Sequence, residues 1–320
     1  MNRHLTMKYT IAVILLIVAA FASLSVGTVF LTPSHILSHI FTLDDFILTE
    51  YRLPRMLLGF IVGVSLAVSG ALIQGVVKNE LASPDVIGIT KGASLTAVIV
   101  IMLFPSAPLF LLPFSSFIGA LIISIFLTIL ISKFNVKGSR LALIGLAIGA
   151  ICTAIVQFLL IRNPMDANTA LVWLTGSLYG HDLADVGIVL PWFIIVLPFI
   201  IYFSRKLDIL ALGDDVATGL GAKVQGIKML LLFLAVVLAG SSIAVVGGLS
   251  FLGLISPHIA RSIVGHKYIH VICMSGLVGA IILLISDSLS RGIHPPLDIP
   301  VGVIVAIVGV PYFLFLLRKM

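Results

Sequence analysis

Apolar residues run along this chain in blocks of roughly 16–24, the length a bilayer demands of a spanning helix, separated by short polar links. The blocks predict five spans in the first half: Ile11–Leu31, Leu53–Val77, Val86–Phe104, Ser116–Ser132 and Leu141–Ile161. Five more follow at Val186–Phe203, Met229–Gly247, Phe251–Gly265, Val271–Ser288 and Val301–Leu317. Ten spans put both termini on one side of the membrane. Ala20-Phe21-Ala22 is similar to a signal-peptidase site, but the first apolar run continues to Leu31 and further spans follow, so an uncleaved first helix is expected.

Charge supplies the orientation. Arg3, Lys8, Arg318 and Lys319 mark the terminal side as cytoplasmic. Threading ten spans from there sets Lys78, Lys91, Lys133, Lys137, Arg140, Arg205, Lys206, Lys223, Lys228 and Lys267 in or beside cytoplasmic loops, with Arg261 near the same end of its span. Arg52, Arg55, Arg162 and Arg291 fall outside and call for an explanation. With 60% hydrophobic and 10% charged residues, the chain could not hide its apolar surface in water, so lipid is the solvent. The formal charge of +6 comes from basic residues scattered singly, which form no patch for nucleic acid. Cys152 and Cys273 lie in apolar runs without a CxxC and are expected to pack.

The stretch Gly247–Gly265 is the most unusual. It is apolar, yet it carries paired glycines, Ser256-Pro257-His258 and Arg261. Lipid penalises free backbone groups and charges, so this segment must pack on protein or line a wet path. Leu81-Ala82-Ser83-Pro84-Asp85-Val86 weakly echoes Leu254-Ile255-Ser256-Pro257-His258-Ile259. That echo suggests one transmembrane domain built from two related four-helix blocks, at about 53–161 and 229–317. Gly59-xxx-Gly63, Ser65-xxx-Ser69 and Gly145-xxx-Gly149 are spaced for close helix packing.

In the cytoplasmic stretch Leu210–Lys223, Asp214 and Asp215 can cap a short helix that Gly219 and Gly221 end. Such a helix suits docking of a soluble partner; an ordinary interfacial loop fits equally. Gly219-Leu220-Gly221-Ala222-Lys223 lacks the phosphate-loop spacing, and no such motif occurs elsewhere, so the chain is not an ATPase. His35 and His39 lie near Asp44 and Asp45 without further ligands, and His258 is expected to be a satisfied buried histidine rather than a ligand, so no metal site or cofactor is expected. Asp287 is the one acid deep in a late span and can pair with Arg291 a turn on. The relay of acids that a proton-driven carrier needs is missing, as is any cluster suited to a membrane enzyme.

Several strings together resemble the FecCD-type permeases, the membrane subunits of ABC importers for iron–siderophores, haem and vitamin B12. In the first half these are Arg52-Leu53-Pro54-Arg55, Ser69-Gly70-Ala71-Leu72-Ile73-Gln74, Asn79-Glu80-Leu81-Ala82-Ser83-Pro84 and Gly88-Ile89-Thr90-Lys91-Gly92-Ala93. In the second they are Phe251 through His258, Ser286-Asp287, Arg291, Leu297 through Gly302 and Gly309-Val310-Pro311. The resemblance implies an all-α polytopic membrane protein, a BtuC-like (type II importer) bundle of ten transmembrane helices in the bacterial cytoplasmic membrane. It implies as partners a second permease, identical or paralogous, two ABC ATPase subunits and an extracytoplasmic substrate-binding protein. The ATPases would dock on Leu212, Gly213, Asp214, Asp215, Val216, Ala217, Gly219, Leu220 and Gly221. Arg52, Arg55 and Arg291 match positions that receive acidic residues of the binding protein. Asn79, Leu81 and Ser139 match the inner gate, although Gly138 replaces a Thr there and Glu80 stands where Pro is common. An iron–siderophore complex is the expected cargo, ahead of haem or B12; an ion-coupled carrier is the rival of a different class.

Overall fold

Backbone polar groups in lipid must be satisfied internally, which favours helix throughout. The structure, a computed structural model, describes residues 3–42, 44–108, 110–134 and 138–319, leaving aside the side chains of 131–134, 138–142, 316, 317 and 319. Among the described residues there is no strand. The helices are α1 (Arg3–Ser25), α2 (Pro33–His39), α3 (Leu53–Val77), α4 (Ile89–Leu103), α5 (Leu111–Phe134), α6 (Gly138–Arg162) and α7 (Ala167–Thr175). They continue as α8 (Leu183–Ala211), α9 (Asp214–Gly219), α10 (Val224–Val246), α11 (Leu252–Val264), α12 (Tyr268–Gly292) and α13 (Val301–Lys319). A wide π-helical turn, Ile47–Arg52, leads straight into α3.

Seven helical stretches among the described residues are long and apolar enough to cross a bilayer: α1, Ile47–Val77, and parts or all of α5, α6, α8, α10 and α12. The other three predicted spans hold shorter apolar helices, at Ile89–Leu103, Leu252–Val264 and Val301–Phe315. The 13 residues of α11 reach only about 20 Å at 1.5 Å each, short of the ~30 Å hydrocarbon core, so flanking segments must make up the rest of any crossing there.

α3 and α10 form the centre. In each, 83% of the most apolar window is buried, against 11% in α1 at the periphery. α3 packs on α8, α10, α11 and α12. Small residues set the close approaches. A Cβ on Gly63 would lie 2.7 Å from the Ala280 Cα of α12, and one on Gly70 would collide with the Gly253 carbonyl of α11. Ser69 donates to the Ala235 carbonyl of α10 at 2.7 Å.

Tertiary contacts moved several boundaries. The first helix stops at Ser25 rather than Leu31, because the carbonyls of Leu24, Val26 and Val29 turn to Arg52. α4 starts at Ile89 rather than Val86, since residues 79–88 fold back as turns whose Ile87 backbone meets Gly145 of α6. This sets the Lys91 stem over Gly149, near the middle of the 25-residue α6, rather than at a loop as the sequence suggested. The two echoing strings differ in conformation: 81–86 is turn, whereas Leu254–Ile259 lies inside α11. They are nevertheless neighbours, because Pro84 abuts Gly253.

Candidate functional site

At one end of the bundle the three anomalous arginines converge. Arg52 ends the π-helical turn, Arg55 lies in the first turn of α3, and Arg291 lies in the last turn of α12. They are only 5%, 8% and 5% exposed. Arg55 joins Asp287 through Nε at 2.8 Å and Asp298 through Nη1 at 2.5 Å. Arg291 meets the other oxygen of Asp287 at 2.8 Å and donates to the Ser23 carbonyl of α1 at 2.8 Å. Arg52 touches no acid. It donates to the Val26 carbonyl, to Val29 O at 2.7 Å and to Leu24 O at 3.4 Å. Gly27 makes room for it, because any Cβ there would strike the guanidinium.

Three arginines against two aspartates leave one positive charge in excess, and Arg52 carries it without a carboxylate partner. The three arginines and Asp298 line a cavity of about 400 Å³ with Tyr51, Tyr179 and His181. The expected pairing of Asp287 with Arg291 is present. Glu50, a nearby acid, is exposed. The arginines are thus buried and hydrogen-bonded in the free chain, so reversing one would place a carboxylate inside a buried network and disturb folding as well as any docking.

In the link between α8 and α10, α9 is a six-residue helix between two glycines of positive φ, Gly213 (112°) and Gly221 (81°). Its buried residue is Ala217, while Leu212, Val216 and Leu220 are 60%, 52% and 65% exposed. Val216 lies within α9, and Leu212 and Leu220 flank it, so the turn carries three exposed apolar side chains. Asp215 lies in the first turn and Gly219 in the last. Asp214 does not cap the helix as the sequence suggested, because other donors hold its side chain. Oδ1 takes Lys78 Nζ at 2.9 Å and Oδ2 takes Lys228 Nζ at 2.6 Å. Burial alone would raise this carboxyl, but the hydrogen bonds from Lys228 and Lys78 hold it below its usual range.

Lys78 is the left-handed cap of α3, with φ 55°, and the turn bearing Asn79 and Leu81 follows directly. The Asn79 side chain accepts from Leu81 N at 2.9 Å, so this pair forms one local unit. Ser139 lies in the first turn of α6, and its side chain falls outside the described residues. The clamp on Asp214 was missed in the sequence: Lys78 and Lys228 were placed on its side of the membrane, but nothing in the spacing joined them. Among the described residues no group of three or more His, Cys, Asp or Glu could hold a metal ion. His35 pairs with Asp45 at 2.6 Å, and the half-buried His258 lies 3.8 Å from Glu80.

A family model described as the FecCD transport family matches residues 15–319. The chain belongs to the FecCD transport family. It is 45% identical over 311 residues to the Fe(3+)-citrate import system permease protein YfmE of Bacillus subtilis, covering 96% of this chain and 93% of that one. It is also 45% identical over 275 residues to the Fe(3+) dicitrate transport system permease protein FecD of Escherichia coli, 86% of each chain. Among solved structures, a metal-chelate type ABC transporter in an inward-facing conformation superposes with a TM-score of 0.86 at 26% identity, over 99% of this chain and 100% of that one.

The FecCD motifs of this permease have visible structural tasks. Gly70 lets α11 touch α3, and Gln74 donates to Leu254 O at 3.3 Å while accepting from Arg261 at 2.6 Å. The charge of Arg261, odd in an apolar segment, is therefore met by a side-chain amide 187 residues away. Of the two options left for Gly247–Gly265, packing on protein describes the first part of α11, where Leu252 through Pro257 are buried.

Proposed function

We propose that this permease is the membrane subunit of a bacterial ABC importer carrying an iron–siderophore complex across the cytoplasmic membrane. The observation that carries this reading is the end-to-end likeness to permeases named for Fe(3+)-citrate import. ATP is hydrolysed by partner ATPases, each docked on the turn that exposes Leu212, Val216 and Leu220. A second permease, identical or paralogous, completes the pathway, and a binding protein delivers cargo from outside. In this reading ten helices cross the membrane, with α4, α11 and α13 supported by the bundle, and both termini are cytoplasmic. The two blocks at about 53–161 and 229–317 form one membrane domain, and Asn79, Leu81 and Ser139 belong to the inner gate. Deleting the gene is expected to lower uptake of labelled ferric siderophore and to spare labelled B12. Uptake should stop with vanadate but not with a protonophore. Loss of B12 uptake alone, or protonophore sensitivity with vanadate resistance, would overturn the assignment.

The outer cavity suits an acidic side chain of the binding protein. Its surplus charge is on Arg52, and a charge-assisted pair there would speed and orient docking. Because charge reversal would break a buried network, the informative change is Arg52→Gln, which keeps donors for the backbone carbonyls. Docking affinity should fall several-fold and lose part of its salt dependence, because salt screens the long-range attraction that brings opposite charges together. An affinity insensitive both to salt and to Arg52→Gln would leave the arginines with a structural task only.

A further inference from the structure

None of the roles above uses Thr90 and Lys91 of the Gly88–Ala93 motif. Both lie in the first turn of α4. The Lys91 stem crosses Gly149, where a Cβ would come within 3.3 Å of Lys91 Cγ, so the ammonium belongs beside the middle of α6 rather than at its end. A charge at such depth is costly and marks a functional group unless it is fully paired. The pairing here is incomplete. Lys91 Nζ stands 3.8 Å from Asp85 Oδ1, beyond hydrogen-bond reach. That oxygen is buried without a hydrogen-bond partner, and so is the hydroxyl of Thr90, a residue 3% exposed.

Asp85, Thr90 and Lys91 line a cavity of about 180 Å³ with Ser94, Thr153 and Ser250. A second cavity of about 450 Å³ shares Asp85, Lys91 and Thr153 and runs along Gly145 and Gly149 of α6. Together they reach the size of small-molecule sites. The two charges are presented unequally. The Lys91 side chain is 43% exposed and that of Asp85 24%, with Oδ1 sealed. An arriving ligand therefore meets the ammonium first. A bare cation fits poorly, because Lys91 already supplies the positive charge that Asp85 needs.

We infer that these adjoining cavities form a site for a carboxylate-bearing, negatively charged chelate, gripped by Lys91 Nζ while Asp85 holds the lysine in place. The site's cargo rests on the import reading, but the anion site itself does not. Its test is the charge preference of a thiol placed in the cavity. The full-length chain, in its own membrane, carries Cys152→Ser, Cys273→Ser and Thr153→Cys. It is labelled with anionic sulfonatoethyl and cationic trimethylammonium-ethyl methanethiosulfonates. Relative to a free thiol, the anionic-to-cationic rate ratio should rise about tenfold, as one nearby unit charge in partly solvated surroundings allows. Lys91→Gln should abolish this preference, Lys91→Arg should keep it, and Asp85→Asn should preserve or raise it. Ferric citrate should slow labelling with Lys91 present and not in Lys91→Gln.

A ratio unmoved by Lys91→Gln, a loss shared by Lys91→Arg, or no reaction at position 153 with either reagent would each overturn the site. Labelling needs no transport. A positive labelling result with failed ferric-siderophore uptake would sink the import reading and leave the anion site standing.

Discussion

Replacing Asp287 with alanine is expected to destabilise the permease by about 3–5 kcal/mol, the usual loss when one partner of a buried ion pair is removed. Asp287 is fully buried, and its two oxygens serve different arginines at 2.8 Å each, Arg55 from α3 and Arg291 from its own helix. Without it, three buried arginines would face Asp298 alone. Arg291 would keep its hydrogen bonds to Ser23 but lose its carboxylate. The midpoint for loss of monodisperse protein on heating in detergent should fall by roughly 10 °C, taking a few degrees per kcal/mol. The cause can be separated from simple loss of packing. Adding Arg291→Leu to Asp287→Ala removes the arginine left without a carboxylate, while Arg55 keeps Asp298, and should restore much of the stability. A single variant as stable as the parent, or a double variant no better than the single, would refute a charge network as the hub of this end of the bundle.

Each of the ten apolar runs holds a helix, because length and hydropathy are local properties of the chain, whereas the short helices α2 and α7 were not predicted. The helix ends were less legible. The first helix stops early because three carbonyls are diverted to Arg52, some 23–28 residues on. α4 begins late because the turns after α3 press Ile87 onto Gly145. Neither contact leaves a mark in local composition.

The same distinction runs through the sites. That Arg52, Arg55 and Arg291 were anomalous was visible from their position against the charge bias. That Arg55 binds Asp287 and Asp298 was not, for these partners lie 232 and 243 residues away. Asp214 was read as a cap because Asp favours that position locally, yet two lysines from other helices compete for it and win. The exposed apolar residues of the α9 turn were legible because they are neighbours in sequence. The Asp85–Lys91 pair is also local, six residues apart, but its meaning depends on Gly149 and on the depth at which α4 starts.

Aspartate at Leu212 or at Leu220 is expected to detach the ATPase and abolish uptake. Both leucines are more than half exposed and flank α9, which itself exposes Val216. A new unpaired carboxylate buried there by a docked partner would cost roughly 2–5 kcal/mol, or a factor of about 30 or more in affinity. Stability of the free permease should change little, because the substituted side chains face outward. Asp214→Asn separates attachment from transmission. Its carboxylate ties α9 to Lys78, which caps α3 beside the Asn79–Leu81 turn, and to Lys228 of α10. Losing that tie should leave the ATPase bound while lowering transport per ATP hydrolysed. Acid is not an easier route to the same state. A carboxyl held below its ordinary value contributes stability above the unfolded-chain pKa of about 3.9 and loses it only as pH falls through the lower folded value. The clamp should therefore hold throughout the neutral and mildly acidic range. Normal ATPase co-purification and normal uptake in both leucine variants would remove α9 as the docking face, and Asp214→Asn with full coupling would show that the clamp only anchors the turn.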